Sequence, residues 1–307
     1  MAPGRANAAR VAMLLLVLAL LAWTFHDVPW APLRDRLKAA HPVWIALAAA
    51  VNLVVVALRA GRWLALVRPL SRGATFGQAF ESLVVGLAFS TVLPARAGEI
   101  VRARMFGRSS GLAGPMVVTT IGLDFLVNAA GLVVLLLCLP LVVDIPAWIL
   151  PGAATAVLVF AGGVILVFAL RPVAKKSILT PVGFLAIARQ GLSAIGDRRA
   201  LGLSLALCLL SWLLEIVVVS FTMTATGLHL PFSAACIVLL AANLAIAMPL
   251  QPPGNVGTLE VGLILALAGL GIGKEQALAF GIVYHLLQVV PLGLLGMALW
   301  GRDQVRR

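Results

Sequence analysis

Charge is the first thing this chain lacks. Only 11 % of its 307 residues are Asp, Glu, Lys or Arg, against about 25 % in a soluble globular domain. A soluble core of this length needs a polar surface, and there are too few polar side chains to make one. An ordinary water-soluble enzyme is excluded. Acidic residues number 11 and tyrosine occurs once. Cysteine occurs three times, at Cys138, Cys208 and Cys236, each inside an apolar stretch. Without CxxC or Cys/His spacing, neither a disulfide framework nor a zinc site is indicated. No Walker loop, HExxH or GxSxG is present. No metal, no cofactor and no catalytic residue is therefore expected, and ATP-driven work by this chain alone is disfavoured.

What the chain has in abundance is apolar sequence. Hydrophobic residues make up 62 %, which also excludes disorder. The apolar blocks recur from end to end and define one integral membrane domain, residues 1–307. The net charge of +12 sits in short loops between blocks. There it sets orientation and meets anionic lipid headgroups, so nucleic acid is not expected as a partner. Residues 11–25 follow Arg5 and Arg10 like a signal peptide, but Trp23-Thr24-Phe25-His26 is a poor cleavage site, and the block reads as a span.

A spanning helix needs about 20 apolar residues. Six segments qualify: 9–27, 43–67, 115–139, 147–170, 201–226 and 276–300. Two regions do not. Residues 76–93 end at Pro94-Ala95-Arg96-Ala97-Gly98-Glu99-Ile100-Val101-Arg102, and residues 232–248 end at a break running from Pro249 through Pro253, Gly254, Asn255 and Gly257 to Glu260. Broken backbone at membrane depth survives only when buried in protein or lining a wet cavity. Both regions, 76–107 and 232–271, are predicted to be re-entrant hairpins. With the hairpins non-crossing and both termini cytoplasmic, the outer loops hold only Arg34, Arg36, Lys38 and Lys274, and the basic loop 171–200 is cytoplasmic. That satisfies the positive-inside rule. The localisation expected is a bacterial-type inner membrane.

The two halves keep similar intervals. Arg59, Phe76, Pro94, Glu99 and Asp124 are 17, 18, 5 and 25 residues apart; Glu215, Phe232, Pro249, Glu260 and His285 are 17, 17, 11 and 25 apart. The pattern predicts an inverted repeat, 43–139 against 201–300, with a site formed near mid-membrane. The expected fold is all-α and polytopic.

Charged groups in a span are costly and mark function by default. Glu99 and Glu260 follow the two breaks, where a carboxylate also serves as a helix cap; the two roles coexist. Gly98, Gly254 and Gly257 let the chain turn and expose N–H groups to an anion. Arg96 and Arg102 would add a phosphate clamp, while Arg104 and Arg108 read as membrane anchors. The substrate-binding set is thus Arg96, Gly98, Glu99, Arg102, Gly254, Gly257 and Glu260. Asp124 with Asn128 one turn on, Glu215, and Tyr284 with His285 are expected to line the polar cavity. Buried ion pairs that only lock helices are the structural alternative. Candidate partners of these carboxylates are Arg59, Arg62, Arg96, Arg102 and His285. Arg59, Arg62 and Trp63 also read as anchors of the inner end of their span, with Arg59 placed to face the cavity.

The motifs Pro94–Arg102 and Pro253–Glu260, with Arg59-Ala60-Gly61-Arg62-Trp63, resemble the lysylphosphatidylglycerol synthase transmembrane-region family, also called the flippase-like domain family. The likeness runs over roughly residues 10–300. Asn255 stands where the family usually has glycine, and His285 where arginine is common, which turns a fixed cation into a pH-dependent one. The resemblance implies translocation of a membrane lipid. It does not imply lipid aminoacylation, because no transferase segment accompanies the membrane part. Some relatives are linked to polyprenyl-linked sugars and hopanoids. The leading expectation is a translocase for an amphiphilic lipid with an anionic headgroup. Two rivals stay open: an intramembrane enzyme using Glu99 or Glu260 as general base, and a non-catalytic partner of a lipid-modifying enzyme.

Overall fold

The computed structural model describes residues 30–93, 97–141, 150–173, 191–246 and 252–305. The expected span 9–27, Arg96, both prolines that open the breaks and most of the loop 171–200 lie outside the described residues. Ten α-helices and no strand occur among the described residues. They are α1 (Trp30–Ala39), α2 (Pro42–Val67), α3 (Phe76–Val92), α4 (Gly98–Ser110), α5 (Gly114–Cys138), α6 (Leu150–Val173), α7 (Arg198–Ala225), α8 (Phe232–Ile246), α9 (Thr258–Ala268) and α10 (Lys274–Val305). Four of these, α2, α5, α7 and α10, are long and apolar enough to cross a membrane. The 26 residues of α2 reach about 39 Å at ~1.5 Å per residue, against a hydrocarbon core of about 30 Å. The segments α3, α8 and α9 are shorter apolar helices. The helix α1 falls where the sequence reading has only a loop.

The helix ends follow local chemistry. Thr75 and Gln78 form a reciprocal capping box at the start of α3: Gln78 N–H donates to Thr75 Oγ1 at 3.3 Å, and Thr75 N–H to Gln78 Oε1 at 2.9 Å. Asp197 Oδ1 accepts from the N–H groups of Arg199 and Ala200 at 2.9 and 3.1 Å and so starts α7.

The chain packs as two compact units. The first takes the described residues up to Asn52 with Ser90–Ala97 and Ile216–Leu292. Its centre is α8, buried without interruption from Ala234 to Ala242, as expected for a helix that is apolar all round. Helix α9 lies against it at Gly262, where a Cβ would sit 3.3 Å from the Ala241 carbonyl oxygen. Pro291 interrupts the hydrogen-bond ladder inside α10, since proline has no N–H to give the carbonyl four residues back. That carbonyl belongs to Leu287, and Asn52 Nδ2 donates to it at 3.3 Å. The carbonyl of Ala225 at the end of α7 accepts from His41 N–H at 2.8 Å. Both are backbone groups that a lipid environment would leave unpaired.

The second unit takes Leu53–Phe89, Gly98–Glu215 and Gly293–Arg307. Its apolar core gathers Trp63, Phe106, Val117 and Ile121, with the Trp63 and Phe106 rings 4.5 Å apart. Helices α3 and α4 approach closely at Gly86, where a Cβ would be 2.8 Å from Arg102 Cβ and 3.1 Å from the Gly98 carbonyl oxygen.

Candidate functional site

In the second unit three arginines and three carboxylates meet on α2, α4, α5 and α7. Arg62 on α2 donates from Nε to Asp124 Oδ1 and from one terminal nitrogen to Asn128 Oδ1, both at 2.7 Å. Its guanidinium also lies 3.5 Å from Cys208 Sγ. Arg102 on α4 donates to Asp124 Oδ2 at 3.3 Å and to Glu99 Oε2 at 3.1 Å. Its guanidinium lies 3.9 Å from the Trp63 ring centre, a cation–π contact, and Trp63 Nε1 donates to Thr120 Oγ1 at 3.2 Å. Arg59 pairs with Glu215.

Helix periodicity makes the cluster. Arg59, Arg62 and Trp63 recur at three and four residues and share a face of α2; Asp124 and Asn128 are one turn apart on α5; Glu99 and Arg102 are three apart on α4. The fork of Arg62 spans both acceptors on α5. Charge balances across the six ionisable groups, which is how a buried network avoids an uncompensated ion. Arg62, Arg102, Asp124 and Glu215 are buried. Arg59 keeps 30 % of its side chain exposed and Glu99 keeps 19 %.

In the first unit the break between α8 and α9 is shaped by three positive-φ positions within four residues: Gly254 at φ 63°, Asn255 at φ 60° and Gly257 at φ 86°. Asn255 is the one without glycine's freedom, and asparagine is among the few side chains that accept this region. Gly254 also lies against the end of α3: a Cβ there would be 3.2 Å from the Thr91 carbonyl oxygen. Glu260 Oε2 accepts from Gly257 N–H at 2.7 Å and caps α9. Its other oxygen contacts His285 Nδ1 on α10, and the His285 ring also bonds to the Gly254 backbone. Tyr284, the neighbour of His285, is buried and stacked on Phe280 at 5.7 Å.

The residues expected from the sequence therefore fall into two groups. Arg59, Glu99, Arg102, Asp124, Asn128 and Glu215 belong to the charged network, with Gly98 opening α4. Gly254, Gly257, Glu260, Tyr284 and His285 surround the second break. Arg96 lies outside the described residues. Two participants escaped the sequence reading, Trp63 and Cys208. Arg62, expected both as an anchor and as a candidate partner of the carboxylates, is one of those partners and is 4 % exposed. Trp63 reads as an interfacial anchor, yet it is 0 % exposed; its spacing from Arg59 was the available signal. Cys208 gave none beyond lying seven residues, two turns, before Glu215. Among the described residues no three of His, Cys, Asp and Glu gather to hold a metal.

Long apolar helices that bury a balanced set of ion pairs define an integral helical membrane protein. The chain belongs to the lysylphosphatidylglycerol synthase transmembrane-region family, whose model matches residues 10–296. It is also similar to a UPF0104 membrane protein of Methanothermobacter thermautotrophicus, 23 % identical over 295 residues that cover 87 % of each chain.

Proposed function

We propose that this protein moves an amphiphilic lipid with an anionic headgroup between the leaflets of a bacterial-type inner membrane. The observation that carries the reading is a set of charged side chains held within the helices of an apolar protein and left partly open. Arg59 and Glu99 keep part of their surface, while the groups behind them are closed off. Ion pairs that only lock helices have no need of an open member. Arg59 is the cation placed to meet a headgroup phosphate, and Arg102, held by two carboxylates, is a support. At the second break the N–H of Gly257 already holds an anion, the carboxylate of Glu260, which agrees with a helix start that favours negative charge.

The topology proposed with it has six spans, two re-entrant hairpins and cytoplasmic termini. Two findings support an inverted repeat, 43–139 against 201–300. The interval of 25 residues recurs with linked ends: Arg102 bridges Glu99 to Asp124, and Glu260 meets His285. Arg59 and Glu215, which hold equivalent places in the two halves, pair with one another, as residues on a two-fold axis do.

Leaflet exchange in vesicles reconstituted with purified protein tests the reading. The probes are labelled phospholipid, aminoacyl-lipid, polyprenyl phosphate and hopanoid. Exchange of an anionic probe, reduced at least about tenfold by Arg59→Gln or by Glu99→Gln with Glu260→Gln, is expected if these groups carry the headgroup. No exchange of any probe by folded protein overturns it, and a chemically altered lipid points instead to an enzyme.

A further inference from the structure

Five carboxylates within helices α3 to α9, Glu81, Glu99, Asp124, Glu215 and Glu260, are bonded to a cationic or basic side chain, and their partners differ in kind. Glu81, Glu99, Asp124 and Glu215 are each bonded to arginine. A guanidinium keeps its proton at any pH a cell offers. Glu260 is bonded to His285, and an imidazole gains and loses its charge near neutrality. We infer that the Glu260–His285 pair is a proton-binding site, and that it takes up one proton when an anionic lipid binds. The inference deepens the lipid-translocation reading and rests on it.

The placement of the pair gives the proton something to act on. One oxygen of Glu260 holds Gly257 N–H at the start of α9, and the other meets the His285 ring, which also bonds to Gly254. Gly254 in turn lies against the Thr91 carbonyl. An imidazolium has two N–H donors and the neutral ring has one. Loss of the proton therefore removes a donor beside Gly254, where the second break meets the end of α3. It also changes the pair from zero net charge to −1, and a lone negative charge in a low-dielectric setting repels an anionic headgroup. Proton and headgroup favour each other, and the linkage is reciprocal.

The surroundings leave this pair as the titrating group. Among the described residues of its unit, Tyr284 on α10 and Cys236 on α8 are further titratable side chains. Both types ordinarily titrate above pH 8. Helix α2 contributes no ionisable side chain between Pro42 and Asn52. His41 and His229 are exposed at helix ends, and Lys274 and Glu275 open α10.

The experiment is proton uptake by the full-length protein in weakly buffered detergent at pH 7 on adding phosphatidylglycerol, with phosphatidylcholine as the neutral comparison. Native protein is expected to take up roughly half a proton or more per chain with phosphatidylglycerol and none with phosphatidylcholine, and to lose about fivefold or more in phosphatidylglycerol affinity from pH 6 to pH 8. His285→Arg keeps a cation against Glu260, takes up no proton and gives a flat pH profile. Glu260→Gln, with thermal unfolding checked for both variants, removes the uptake too. Native protein that binds phosphatidylglycerol without taking up a proton overturns the inference, as does His285→Arg taking up as many. Because uptake is read without transport, failure of the translocation reading shows separately in the leaflet-exchange assay.

Discussion

Arg62 is the side chain on which the charged network turns. It alone joins Asp124, Asn128 and Cys208, and it is 4 % exposed. Removing one partner of a buried ion pair leaves an uncompensated charge and costs about 3–5 kcal/mol. Arg62→Met is therefore expected to lower stability by about that amount, read as chemical unfolding of purified protein. Adding Asp124→Leu should recover part of the loss, because the two changes act on one interaction and are not additive. Equal and additive losses would remove the pair from the account. The sequence showed which residues carry charge at membrane depth, because few charges exist there and each stands out. It did not show which cation meets which anion. Arg62 and Arg59 are one turn apart on the same helix, and only the packing of α5 and α7 decides that Arg62 takes Asp124 while Arg59 takes Glu215. A local pattern cannot express that choice, so Arg62 stood only as one candidate partner among several.

At the scale of elements, apolar runs fixed most helices to within a few residues. The expected 43–67 is Pro42–Val67, 115–139 is Gly114–Cys138, 76–93 is Phe76–Val92 and 232–248 is Phe232–Ile246. Helix α1 was not legible, since Trp30–Ala39 carries four charges and a proline in ten residues and has no apolar face of any length. Asn52 and Pro291 were equally silent as a pair, because 239 positions separate them. Pro291 strips the Leu287 carbonyl of its helical partner, and Asn52 replaces it. An unpaired buried carbonyl costs about 1–3 kcal/mol. Asn52→Leu should lower stability by that order in the native chain. In the Pro291→Ala background, where the helical N–H is restored, the same change should cost less than about half as much. A double-mutant cycle on thermal unfolding measures the difference, and an unchanged cost would mean Asn52 acts through some other contact.

At the scale of the whole molecule, the open question is which side of the membrane each connection faces, and charge decides it. A positive-inside bias is set by Lys and Arg in short loops near the span ends. The connection between α2 and α3 carries Arg68 and Arg72, whereas the one between α9 and α10 has only Lys274 at its edge. If both hairpins crossed fully, the basic loop 171–200 would lie outside, against the bias. If they re-enter, residues near Gly73 and residues near Gly196 both face the cytoplasm, because two crossings separate them; if the region 76–107 crosses, a third is added and Gly196 faces out. Single cysteines distinguish the two arrangements in protein whose own three cysteines have been replaced by serine. Neither Gly73 nor Gly196 has a neighbour within 4 Å of an added Cβ, so Gly73→Cys and Gly196→Cys should fold. A membrane-impermeant maleimide is expected to reach both only after the membrane of the cells is opened. Labelling of Gly196→Cys but not of Gly73→Cys in intact cells would place an odd number of crossings between them. The region 76–107 would then cross the membrane, and the re-entrant hairpins, with the inverted repeat built on them, would fall.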